Sequence, residues 1–124
     1  MKNRIVSGLL LTGLLAAGAA GAECSYPKAP GNMPDGATAT QEQMVAGMKA
    51  VKEYNAAVTD YLTCLETEMN ARIEAAGADA PADQIEQIKA IHNKRHNAAV
   101  EELEAHAAQF NEQVKTYKAR EKKG

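Results

Sequence analysis

The chain has 124 residues, of which 45% are hydrophobic and two are cysteines, and its formal net charge is −2. This length is typical of one small domain and excludes a large enzyme with a separate cofactor domain. The composition excludes a collagen, a disulfide-dense scaffold and a polytopic membrane protein. It also excludes a wholly disordered chain, because apolar residues are too frequent and the net charge is too small.

The N-terminus has the three parts of a secretory signal peptide. A short basic start at residues 1–4 precedes an apolar run at residues 5–20, and residues 20–22 have the small-x-small pattern of a cleavage site. We therefore expect a periplasmic or secreted protein with no membrane span after cleavage, the competing interpretation being a retained anchor. Glu23 precedes Cys24, where lipid attachment requires a small residue, so we do not expect a lipoprotein.

The two cysteines, Cys24 and Cys64, are expected to form one disulfide. Export would place them in an oxidising compartment, and with two cysteines the intramolecular connectivity is forced. Closing a loop of this length would stabilise the fold by about 4 kcal/mol in the chain-entropy treatment. The alternatives are an intermolecular bridge or a free thiol.

The segment after the signal peptide, residues 23–39, is expected to form an extended tether. Its prolines and glycines exclude a regular helix or a central strand, and Pro34-Asp35-Gly36 is typical of a turn. We expect the tether to follow a strip of α-helical positions that share one heptad place: Ala50, Ala57, Cys64 and Ala71. Tyr26 and Met33 would then pack near Tyr61, Tyr54 and Gly47.

A first helix is predicted over residues 40–77. Thr40 fits an N-cap with Gln43 at the capping-box position, and Gly77 fits the residue after the helix end. Apolar residues recur at alternating steps of four and three, interrupted once by a polar asparagine, and this pattern predicts a heptad seam. The seam comprises Met44, Met48, Val51, Asn55, Val58, Leu62, Leu65 and Met69.

A second helix is predicted from about Pro81 to Glu121, within residues 78–124. Its apolar face repeats at eleven-residue steps, which predicts a stripe closer to straight than to left-handed supercoiling. The short hinge predicts antiparallel helices in which residue i lies beside roughly residue 157 − i. The face comprises Ile88, Ile91, Ala99, Leu103, Phe110, Val114 and Tyr117.

These elements predict an all-α fold: a long antiparallel, coiled-coil-like helical hairpin with a Pro-rich N-terminal tether held by one disulfide. Residues 23–124 would form a single domain after cleavage of residues 1–22. Two helices cannot enclose a core, so a partner should cover part of the stripe. We expect a homodimer that forms a four-helix bundle, with an unknown envelope protein or a monomeric hairpin as the alternatives.

Three histidines lie on the second helix, and two of them have metal-ligand spacing. His92 and His96 are four residues apart, which lets two imidazoles bind one ion from one helix face. The residues between them include two cations and no glutamate, so a zinc hydrolase is not indicated. The competing interpretation is a pair of core or interface histidines, and no cofactor is expected. Met44 and Met48 are a weak copper(I) motif, for which core packing is the simpler explanation.

No catalytic motif is present, and we expect a protein that is not an enzyme. The acidic and basic side chains are explained by solvated helix faces, and the balance of charge lacks the basic footprint of a nucleic-acid binder. The last ten residues nevertheless carry five basic side chains against one acidic one. This basic tail suits a helix C-terminus, and the functional alternative is an envelope-surface binder.

The sequence over residues 24–69 resembles a group of small exported bacterial proteins. The shared features are an early cysteine, the P-x-G turn at residues 34–36, the E-x-M helix start at residues 42–44 and the Y-x-x-C-L-E segment at residues 61–66. The resemblance implies export but no activity, and it assigns no catalytic or binding residues. The expectation for function is therefore a structural or interaction module that presents a helical surface, with a metal-binding or metal-sensing protein as the alternative.

Overall fold

The computed structural model describes residues 23–123, so the predicted signal peptide lies outside the described residues. Within that range the chain forms two α-helices, α1 (Gln41–Ala76) and α2 (Ala82–Lys123), and no strand. The extended segment of residues 23–39, called the tether below, precedes α1. The predicted all-α fold is confirmed, and so is the disulfide: Cys24 is bonded to Cys64 with the Cα atoms 5.7 Å apart.

The two ends of α1 have the local chemistry that the sequence predicts. The backbone N–H of Gln43 donates to the Thr40 hydroxyl at 3.2 Å, and the Thr40 N–H donates to the Gln43 side chain at 2.9 Å. This reciprocal capping box satisfies two amides that a helix leaves unpaired. At the other end Gly77 has a φ of 86°, a conformation that glycine adopts without steric cost, and the chain turns there towards α2.

The helices pack antiparallel, at the predicted register. Leu65 meets His92, and Phe110 lies against Gly47. In both pairs the residue numbers sum to 157, as the hinge position requires. Two buried clusters result along the hairpin. One contains Tyr54, Val58, Tyr61, Leu65 and Ala99, and the other contains Ala39, Met44 and Phe110.

The tether lies along the groove between the helices, on the side of α1 that carries Cys64. The Tyr26 and Tyr61 rings meet edge to face with centroids 5.1 Å apart, which confirms the predicted contact. Pro34 covers Gly47 so closely that a Cβ atom at residue 47 would lie 2.7 Å from the Pro34 Cγ atom. Met33 packs against the cluster that contains Met44. One disulfide and a series of small contacts therefore make the tether a third packed element.

Two interactions with α2 hold the C-terminal part of the tether. The Gly36 N–H donates to the side-chain oxygen of Gln113 at 2.8 Å. Arg120 donates to the carbonyl oxygens of Ala37 and Ala39 at 2.9 and 2.6 Å. Gly36 must be glycine, because a Cβ atom there would lie 2.0 Å from the backbone oxygen of Gln113.

Candidate functional site

The tether closes one of the two grooves of the hairpin, and the helical positions of its contacts show which one. Relative to the fully buried Val58, Tyr54 and Tyr61 lie about 40° and 60° to one side at 100° per residue. Tyr61 contacts the tether through Tyr26, and Cys64, further round on the same side, is its covalent anchor. The opposite side of α1 therefore borders the groove that the tether does not fill.

The uncovered side of α1 carries the other half of the predicted seam. Asn55 and Leu62 lie about 60° and 40° from Val58 on that side. Met48 shares their heptad column and is 42% exposed, Asn55 is exposed, and Leu62 and Met69 are half-buried. Asn55 is thus a solvated residue and not a polar interruption of a buried seam.

On α2, Ala99 is fully buried and marks the position that faces α1. Glu102, about 60° to one side, receives the hydrogen bond of the Tyr26 hydroxyl and so marks the tether side. His96, Val100 and Leu103 lie about 60°, 100° and 40° to the other side and are half-buried. We call the surface opposite the tether the open face; it comprises Met48, Asn55, Leu62 and Met69 on α1 and His96, Val100, Leu103, Ala107 and Val114 on α2.

Charged side chains flank the open face in an alternating arrangement. Near one end an exposed Lys52 on α1 is level with an exposed Glu104 on the far edge of α2. About four turns away an exposed Glu66 on α1 is level with an exposed Lys89 on α2. The levels follow from the same register that pairs Leu65 with His92. The two edges therefore carry opposite charges at these two levels.

The structure places the twelve predicted seam residues in three groups. Met44, Val58, Leu65 and Phe110 are buried between the helices. Val51, Leu62, Met69, Ile88, Leu103 and Val114 are half-buried, and Met48 and Asn55 are exposed. The heptad spacing of Met44, Val51, Val58 and Leu65 holds, but the interleaving buried residues are Gly47, Tyr54 and Tyr61. Their column is buried because the tether covers it, which the period alone does not determine.

The histidine pair lies at the level where the tether begins. The His92 and His96 rings have centroids 5.9 Å apart. The His92 Nδ1 atom is 3.2 Å from the carbonyl oxygen of Leu65, across the helix interface. The His96 Nδ1 atom faces the side-chain oxygen of Asn97 at 3.4 Å. Across residues 23–123 no group of three or more His, Cys, Asp or Glu side chains is placed to hold a metal ion.

The third histidine has a different environment beneath the tether. The His106 ring packs edge to face against Tyr54 with centroids 5.3 Å apart, and His106 Nδ1 and the Tyr54 hydroxyl are buried without a hydrogen-bond partner. Burial raises the pKa of Tyr54, and the hydrogen bond to Glu102 raises the pKa of Tyr26 well above its usual range. Both tyrosines therefore stay neutral phenols at physiological pH.

The predicted basic tail is partly occupied by structural contacts. Arg120 binds two tether carbonyls and lies over the Tyr117 ring at 4.9 Å, so its charge is committed to the fold. Lys115 pairs with Glu112 at 2.9 Å. Lys118, Lys122 and Lys123 are exposed. The cationic surface left for an anionic ligand is consequently smaller than the composition of the tail indicates.

Sequence reasoning missed the residues of α2 that bind the tether. Glu102, Gln113 and Arg120 are ordinary polar residues of a solvated helix face until the tether is laid across them. The signal that could have found them is register: residue 120 falls about one turn from the level of Ala37 and Ala39 once the hinge is fixed. Their role follows from contacts more than 75 positions apart in sequence.

Comparison with protein-family models, with curated proteins and with solved structures found no significant match to this chain. In the part of the chain that the structure describes, neither helix has a stretch long and apolar enough to cross a membrane.

Proposed function

We propose that this chain is an exported, non-enzymatic interaction module whose open face binds a second copy of itself. The observation that carries the proposal is the asymmetry of the hairpin. One groove is sealed by a covalently anchored tether, and the opposite one leaves half-buried apolar side chains such as Leu62 and Leu103 next to solvent. A two-helix protein gains most by burying such a stripe against two further helices.

Charge complementarity favours a second copy over an unrelated partner. A two-fold axis parallel to the helices, above the open face, would stack α1 of one copy on α2 of the other in antiparallel orientation. Lys52 would then meet Glu104 of the second copy, and Glu66 would meet Lys89 of the second copy. Exposed ion pairs add little affinity, but they select orientation and disfavour other pairings.

Export is supported by the predicted signal sequence and by the disulfide, which is typical of proteins in oxidising compartments. The resemblance of residues 24–69 to small exported bacterial proteins points the same way. The periplasm or the extracellular medium is thus the proposed location of the dimer.

The test is the mass of the oxidised mature protein by sedimentation equilibrium across a concentration series. We expect a dimer for the wild type and a monomer for Met48→Glu, which places a carboxylate on the open face without touching the core. The matched control is Ile91→Glu: Ile91 is 49% exposed against 42% for Met48, but it lies on the tether side beyond the end of the tether. This control should remain dimeric. A monomeric wild type, or a Met48→Glu variant that still dimerises, would contradict the proposal.

Charge reversal tests the proposed orientation separately. Lys52→Glu and Glu104→Lys should each weaken the dimer, and the two together should restore it. Glu53→Lys is the control, since Glu53 points away from the open face on the outer surface of α1. If the double variant is no better than the single ones, the antiparallel stacking of α1 on α2 of the second copy is wrong even where the dimer exists.

A further inference from the structure

His92 and His96 are one helical turn apart, and their geometry goes beyond sequence spacing. We propose that the two imidazoles form a two-point site for a divalent late-transition-metal ion such as Zn²⁺, with water completing the coordination. Both ligands come from one helix of one chain, so the site does not require the proposed dimer, although His96 is also part of the open face. Three features of the structure support it.

The first feature is the tautomer of the neutral His92 ring. A carbonyl oxygen can only accept a hydrogen bond, so the contact between Nδ1 and the Leu65 oxygen at 3.2 Å requires the proton on Nδ1. The neutral ring therefore has its lone pair on Nε2. A hydrogen bond from the other ring nitrogen to a carbonyl is the usual way in which proteins orient a metal-binding histidine. The His96 Nδ1 atom faces an amide oxygen in the same manner.

The second feature is the separation of the rings. Zinc–nitrogen distances of about 2.0 Å in a tetrahedral site place two imidazole centroids about 5 Å apart. The centroids of His92 and His96 are 5.9 Å apart. The observed separation is therefore within about 1 Å of that of two imidazoles that share one ion.

The third feature is the position of the nearest cationic side chain, that of Arg95. Arg95 lies between the two histidines in sequence, and its charge would repel a metal ion. Its guanidinium is drawn to the tether side, where it binds Glu68 at 3.0 Å and lies over the Tyr61 ring. The repulsive charge is thus paired and directed away from His96.

His106 supplies an internal comparison. It is about 15 Å along the helix axis from His96, and its ring packs against Tyr54 with Nδ1 buried. The residue one turn before it, Glu102, receives the hydrogen bond of Tyr26. His106 is therefore a histidine of the same helix that has no free chelating neighbour.

The experiment is a calorimetric titration of the oxidised protein with Zn²⁺ in a non-chelating buffer at neutral pH. We expect one ion per chain, with His92→Ala and His96→Ala each weakening the affinity by tenfold or more. His106→Ala should leave the affinity within twofold of the wild type. A further control exchanges two neighbouring residues and leaves the amino-acid composition unchanged: His96→Asn combined with Asn97→His. This exchange moves the second imidazole about 100° round the helix, where it cannot share an ion with His92.

Thermal unfolding and nitrogen NMR test the chelating geometry directly. Zn²⁺ should raise the melting temperature of the wild type but not that of the exchanged variant, because the chelating geometry exists only in the folded helix. Imidazole nitrogen NMR should show Nε2 of His92 and His96 responding together. An exchanged variant that binds Zn²⁺ as tightly as the wild type, or no binding at all by the wild type, would overturn the proposal. Repeating the titration on Met48→Glu separates this result from dimerisation.

Discussion

Removing the disulfide should destabilise the fold by about 4 kcal/mol and should free only one end of the tether. The change is Cys24→Ser together with Cys64→Ser. The bond closes a loop across a sequence separation of 40, so its loss raises the entropy of the unfolded chain by the equivalent of about 4 kcal/mol. For a domain of this size that corresponds to a fall in melting temperature of about 20 °C. Thermal unfolding followed by far-UV circular dichroism measures it, and chemical reduction of the wild type should reproduce it.

The local effect distinguishes this explanation from a general loss of packing. Lys28 is exposed in the N-terminal part of the tether, so trypsin should cut after it much faster in the double variant. The Gly36 amide should stay protected from hydrogen exchange, because its bond to Gln113 and the contacts of Arg120 do not depend on the disulfide. If the Gly36 amide lost its protection together with faster cutting at Lys28, the conclusion that the two ends of the tether are held separately would be refuted. A stability loss below about 1 kcal/mol would refute the loop-closure argument.

Three more substitutions test how the tether is held. Gly36→Ala should cost about 2 kcal/mol in urea unfolding, because the new Cβ atom would lie 2.0 Å from a backbone oxygen of α2, whereas Gly31→Ala meets no atom within 4 Å and should be neutral. Arg120→Ala should cost about 1 kcal/mol through its two lost carbonyl bonds, and Lys122→Ala should cost nothing measurable. Tyr26→Phe should remove part of the alkaline destabilisation: the folded-state pKa of Tyr26 is raised, so its contribution is complete below pH about 10 and is lost as the pH rises further.

Each of these predictions has a contradicting result. Equal urea midpoints for the two glycine variants would show that the tether is not packed against α2 at residue 36. Equal loss for the Arg120 and Lys122 variants would assign the effect to tail charge and not to the carbonyl bonds. If the difference in unfolding free energy between wild type and Tyr26→Phe did not shrink above pH about 10, the phenol would not be held neutral by Glu102.

The sequence predicted the features of the fold that depend on local chemistry. The spacing of Thr40 and Gln43 predicted the capping box, and Gly77 predicted the C-terminal end of α1. A hinge only a few residues long then requires antiparallel helices, which fixes the pairing of Leu65 with His92. Each step used residues within one turn or one loop of each other.

Heptad spacing alone does not determine which column is buried; the expected course of the tether along the strip of Cys64 does. Met48 and Tyr54 are both apolar enough to flank the column of Val51 and Val58, and heptad spacing accepts either side. The tether decides between them by covering the aromatic side, so Tyr54 is buried and Met48 stays exposed. The spacing of the histidine pair was visible in the sequence, but the contact of His92 with Leu65 that orients its ring required the register of the two helices.

The tether also divides the hairpin along its length. Its first residues are anchored at the level of Cys64 on α1. Beyond that level α1 has no buried residue after Leu65, and α2 has none before Ala99. The tip of the hairpin is therefore held by two helices alone, and its amides should exchange faster than those between Met44 and Leu65. His92 is located at this boundary. An ion shared by His92 and His96 would fix one turn of α2 where the covalent support ends, so its stabilising effect should be largest in the amides of the tip.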